Sequence, residues 1–122
     1  METNIPRILL AANNKDLRSA LALLLVTRLG ANIVGEACTM ESLLSKAAIS
    51  QPDIVLLDWE LPGKPEADRI VVVRSVAPTA RVIVVSARPE SARQAAGADA
   101  FVIKTDPPER IVDVFKEQYP NV

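Results

Sequence analysis

Three apolar runs in this chain each close on a residue able to do chemistry. DIVLL is followed by Asp58, RVIVV by Ser86 and AFVI by Lys104. A carboxylate, a hydroxyl and an ammonium at three such ends make a constellation rather than a scatter. Taken singly, each has a plainer role: Asp58 as a turn or helix cap, Ser86 as a cap, Lys104 as a solvated charge. A fourth run, RILLA, ends in Ala12, Asn13 and Asn14, which are poor tools for chemistry. The chain has no histidine. That excludes Ser-His-Asp and Cys-His nucleophile systems and the common zinc sites. Carboxylates, hydroxyls, lysines, arginines and backbone are what remain.

The elements that position these residues follow from patterning. Arg7–Ala12 reads as a strand without polar alternation, hence buried on both faces. Lys15–Leu29 reads as a helix with Leu17, Leu21, Leu24 and Leu25 on one stripe, an Asn13 or Asn14 cap, and Gly30 as its stop. Asn32–Ala37 is a second strand. Thr39 caps a helix to about Ile49 with Leu43, Leu44 and Ala47 inward, ended by Gln51-Pro52. Asp53–Leu57 is a third strand, Leu61-Pro62-Gly63 a turn, and Glu66–Val76 a third helix. Ala80–Val85 and Ala100–Ile103 are further strands around a short helix, Pro89–Ala96. Asp106-Pro-Pro-Glu109 has the form of a capping box ahead of a last helix to about Tyr119. Five βα units in succession specify a parallel sheet with helices on both faces, a three-layer αβα sandwich. In such sheets ligands bind outside the carboxyl ends of the strands, where Asp58, Ser86 and Lys104 fall.

A chain of 122 residues is enough for one domain, expected to span 1–122. With a net charge of −1 and its basic residues scattered, it has no global field toward nucleic acid or membrane. No basic recognition helix is evident, so direct nucleic-acid binding is not expected. No apolar stretch is long enough for a bilayer, and METNIPR lacks the form of a signal peptide. Cys38, the single cysteine, is expected to pack at the end of the second strand. A cytoplasmic location is the default expectation.

PDIVLLDWELPG (Pro52–Gly63), RVIVVSA (Arg81–Ala87) and GADAFVIK (Gly97–Lys104), in this order, resemble the response-regulator receiver domains, the CheY-like family. The resemblance runs from Ile8 to about Lys116. It implies a doubly wound five-stranded sheet of order 2-1-3-4-5, of flavodoxin/CheY-like type, and a role in two-component signal transduction. It implies that Asp58 is the phosphoacceptor for a partner histidine kinase, that Ser86 and Lys104 contact the phosphoryl group, and that Phe101 is a switch aromatic. As plain packing, Phe101 is a core or edge aromatic. No enzymatic turnover of its own is implied. The family often pairs through its fourth- and fifth-helix face, which makes a homodimer one expected arrangement.

Two departures matter. The family closes its first strand with two acids that hold a divalent cation, and here Ala12 and Asn13 stand instead. With those acids the pocket would carry about −2; with Asp58 and Lys104 alone it is close to zero. Losing two negative charges removes several kcal/mol of attraction even at an effective dielectric of about 20. A degenerate metal site follows, with Asn13, Asp58 and the Glu60 backbone carbonyl as its remaining ligands, so Mg²⁺ is expected to bind weakly or not at all. Asp58 and Lys104 are expected to pair directly. The Glu60 carboxylate could swing inward and replace part of the missing charge. The second departure is the segment RPESARQAA, about one turn shorter than usual. Two other readings stay open: a conventional receiver that tolerates Asn13, and a small-molecule-binding α/β protein. Gly30, Gly35, Gly63 and Gly97 form neither GxGxxG nor a P-loop, which weakens the last.

Overall fold

The computed structural model describes residues 5–63, 65 and 68–120. The described elements alternate strictly: β1 (Arg7–Ala11), α1 (Lys15–Leu29), β2 (Asn32–Ala37), α2 (Met40–Ser50), β3 (Ile54–Asp58), α3 (Arg69–Val76), β4 (Arg81–Ser86), α4 (Ser91–Gln94), β5 (Ala100–Ile103) and α5 (Pro108–Gln118). All strand pairs are parallel and the sheet order is β2-β1-β3-β4-β5. This is the expected doubly wound architecture. Glu66 and Ala67, the first residues expected in the third helix, lie outside the described residues.

The unbroken apolar runs of β1 and β3 are explained by burial on both faces. Successive side chains in a strand point to opposite sides. Leu9, Val55, Leu57, Val82 and Val84 join Met40, Leu43, Ala47, Ile70 and Val73 in one core layer. Ile8, Leu10, Ile54, Leu56, Ile83 and Val85 join Leu21, Leu25, Ile111, Val112 and Phe115 in the other. Leu17, Leu24 and Leu44, expected inward, are only partly buried at the margins of these layers.

Local capping sets the helix starts. Asn14 Oδ1 accepts from Leu17 N at 3.0 Å and Thr39 Oγ1 from Ser42 N at 3.1 Å, each satisfying an otherwise orphaned donor. Gly30 ends α1 in the left-handed conformation at φ 64°. Gly63, at φ 129°, passes so close to α2 that an added Cβ would lie 2.7 Å from Met40 Cβ.

Three local expectations need correction. Cys38 is exposed, because Ala37 takes the last inward position of β2 and the chain then turns to the Thr39 cap. The capping box before α5 does not form: Pro107 is the cap residue and makes no side-chain cap bond. Asp106 reaches back instead, its Oδ2 accepting from Ile103 N at 3.3 Å, and so closes the turn that carries Lys104. Finally, α4 spans Ser91–Gln94 rather than Pro89–Ala96. Ser91, Ala92 and Arg93 bond to carbonyls three residues back, a tighter turn that leads into the short α-helical turn in which Ala95 N donates to Ser91 O at 3.0 Å.

Candidate functional site

Three strand ends and one tight turn build the site. β3 delivers Asp58, 2% exposed, at the carboxyl edge of the sheet. Directly after it, Glu60 N donates to Asp58 Oδ1 at 3.0 Å and Leu61 N to Asp58 O at 3.0 Å. This Asx-type turn reverses the chain. β4 delivers Ser86, fully buried, and Lys104 N donates to Ser86 O at 2.8 Å, extending the β4–β5 register by one residue past β5. Lys104 is thereby carried alongside the other two.

The side chains close into a cage. Lys104 Nζ lies 3.0 Å from Asp58 Oδ2 and 3.0 Å from Asp58 Oδ1. It lies 3.1 Å from Glu60 Oε1. Ser86 Oγ donates to Glu60 Oε2 at 2.8 Å and accepts from Arg88 N at 3.1 Å. Ala87 N donates to Glu60 Oε1 at 3.0 Å. The expected Asp58–Lys104 pair is therefore present, and the Glu60 carboxylate does turn inward. The pocket is not close to neutral: two carboxylates face one ammonium, leaving it one unit negative.

Both partners hold their charge firmly. Burial works against the Glu60 carboxylate, but the Ala87 N–H, the Ser86 hydroxyl and Lys104 outweigh it, so its carboxyl sits below the ordinary 4.5. Burial also works against the Lys104 ammonium. Hydrogen bonds and charge from Asp58 and Glu60 outweigh that and push its pKa above the ordinary 10.5.

The first strand ends differently. Ala12 is buried and Asn13 is exposed. Arg18, from the first turns of α1, donates from Nη1 to Ala12 O at 2.6 Å and to Asn13 O at 3.4 Å. Its Nε donates to Glu36 Oε1 at 3.1 Å. A guanidinium thus seals the β1–β2 end of the crevice. No group of three or more His, Cys, Asp or Glu able to hold a metal ion occurs among the described residues.

Around this cage lie further residues. Trp59, fully buried, donates from Nε1 to Gln94 Oε1 at 3.2 Å. Arg69 donates from Nη1 to Trp59 O at 2.5 Å, and its guanidinium carbon stands 5.7 Å from the indole centroid. Cation–π geometry of this kind is recognisable only in three dimensions. Phe101 is partly buried against the core layer that contains Val84 and Trp59, outside the polar cage.

A family model for the response regulator receiver domain matches residues 8–116. The chain belongs to that family. Chemotaxis protein CheY of Thermotoga maritima is 30% identical over 97 residues, covering 76% of this chain and 81% of that protein. The signal receiver domain of the putative response regulator NarL from Mycobacterium tuberculosis is 27% identical, with a TM-score of 0.83 over 93% of this chain and 95% of that one. A LuxR-family two-component response regulator from Aurantimonas sp. SI85-9A1 is 25% identical, with a TM-score of 0.85 over 93% of this chain and 84% of that one. The cage of this receiver lies at the carboxyl edge of β3, β4 and β5. No helix among the described residues is long and apolar enough to cross a membrane.

Proposed function

We propose that this receiver is an atypical signalling module whose state is set by protein partners, with Mg²⁺ held weakly or not at all and phosphorylation of Asp58 slow or absent. The observation that carries this reading is the bonding of Lys104 Nζ to both oxygens of Asp58, opposite a strand end that offers Ala12 and Asn13. Magnesium demands near-octahedral oxygen ligands and sheds water reluctantly. The residues here do not fit it well. Ala12 has no side-chain oxygen, Asn13 offers a neutral one, and both Asp58 oxygens face an ammonium. A cation entering would have to displace Lys104.

The partner expected for such a module is a sensor histidine kinase or another signalling protein, in the cytoplasm. Pairing of two copies on the α4–α5 side is a further contact this reading allows. The domain acts by binding, without turnover of its own.

Convergence of Asp58, Ser86 and Lys104 favours a second reading, a conventional receiver phosphorylated on Asp58 by a histidine kinase. The two are separated by incubating the protein with phosphoramidate and Mg²⁺ and following its intact mass. No gain is expected. Rapid addition of one phosphoryl group, abolished by Asp58→Asn, would establish the second reading instead.

A further inference from the structure

We infer that the Glu60 carboxylate is a built-in anion seated where a phosphoryl or phosphate group would otherwise bind, so that the receiver fills its own anion seat. The inference rests on the reading of Ser86 and Lys104 as phosphoryl contacts.

Three donors of different kinds converge on this one carboxylate: a hydroxyl at 2.8 Å, a backbone N–H at 3.0 Å and an ammonium at 3.1 Å. Fixed donors aimed at one point are what an oxyanion needs. The Ser86 hydroxyl is not free to turn elsewhere. Its oxygen accepts from Arg88 N, which leaves its own proton for Glu60. With Glu60 seated, Ser86 is fully buried. An exposed ion pair alone would be a weak bond. Here two neutral donors fix the carboxylate as well, and neither is a salt-bridge partner.

The turn after β3 supplies the tether. Glu60 N is bonded to Asp58 Oδ1, which places the Glu60 side chain back over β4. A group held on so short a tether competes at an effective concentration on the order of millimolar or more. Free phosphate, or a donor's phosphoryl group, must displace it and meets a negative charge already in place. Ser86, Ala87 and Lys104 are then held in their anion-bound arrangement with no phosphoryl group on Asp58.

Amide NMR with inorganic phosphate tests this on the full chain, comparing wild type with Glu60→Ala and Glu60→Gln. In Glu60→Ala, phosphate is expected to shift the Ser86 and Ala87 resonances saturably, with affinity about tenfold or more above wild type. Glu60→Gln keeps the side chain's shape and loses its charge, and a smaller gain is expected; it serves alone should the alanine variant not fold. The inference is overturned if phosphate moves wild-type Ser86 and Ala87 as readily as in the variants, or if neither variant takes phosphate. Free phosphate cannot label Asp58, so the comparison is independent of acceptor chemistry. A mass gain with phosphoramidate counts against the partner-set reading alone.

Discussion

The backbone N–H of Ala87 donates to Glu60 Oε1 at 3.0 Å, so the first residue beyond β4 is bonded to the residue two past Asp58. Through this contact the turn after β3 and the loop after β4 become one unit, with Lys104 as the cation between them.

Lys104 is what allows two carboxylates to share this space. Lys104→Met leaves Asp58, 3% exposed at its side chain, facing Glu60 without a counter-charge. Removing one partner of a buried pair costs about 3–5 kcal/mol; partial exposure of Lys104 moves the expected loss to about 2–3 kcal/mol. Urea denaturation at neutral pH checks this. A loss under about 0.5 kcal/mol would show that the cage contributes little.

Stability should fall on both sides of neutrality. A carboxyl held below its ordinary value contributes stability that is complete above 4.5 and lost as pH falls through the lower folded value. An amine held above its ordinary value contributes stability that is complete below 10.5 and lost as pH rises through the higher folded value. Glu60→Gln should remove its share of the acid limb, and Lys104→Met its share of the alkaline limb. Unfolding free energies from urea melts across pH give both.

Restoring the acids should restore a metal response. Trp59 is fully buried beside Asp58 and reports on its surroundings. In the wild type, Mg²⁺ into the low millimolar range should leave its emission unchanged. In the double variant Ala12→Asp, Asn13→Asp, two added carboxylates should give a saturable change. A saturable response in the wild type would contradict the weak-metal reading.

Trp59 should matter as packing far more than as a hydrogen-bond donor. Trp59→Ala empties a fully buried site and is expected to cost about 3–5 kcal/mol. Gln94→Ala removes the acceptor of the indole N–H, but Gln94 is exposed and water can replace it, so about 0.5–1 kcal/mol is expected. Thermal or urea melts of the two variants separate the contributions.

The fold was legible wherever pattern alone decides it. Ile8, Leu9, Leu10 and Ala11 announce a strand covered on both faces, and Asn14, Thr39 and Gly30 mark helix ends through chemistry confined to one turn. Strand boundaries fell within a residue of those observed. Asp58, Ser86 and Lys104 were legible as a set because each follows an apolar run. The capping box failed because Asp106 had a competing N–H at Ile103, a choice sequence spacing does not resolve. The Glu60 contacts were open rather than determined: whether its carboxylate points to solvent or inward depends on the turn at Asp58 and on the position of Ala87 N. Arg18 carried a faint signal, an arginine in the early turns of a helix above the strand end bearing Glu36. Arg69 over Trp59 carried none, since the two meet across a turn and a helix start.

Of the two outer strands, β5 is short at four residues, whereas β2 at six is as long as any in the sheet, and every inner strand is walled by helices. The four-residue β5 edge is a poor template for strand addition or edge-to-edge aggregation. On that side of the sheet, recognition by another chain therefore falls to helix faces and loops.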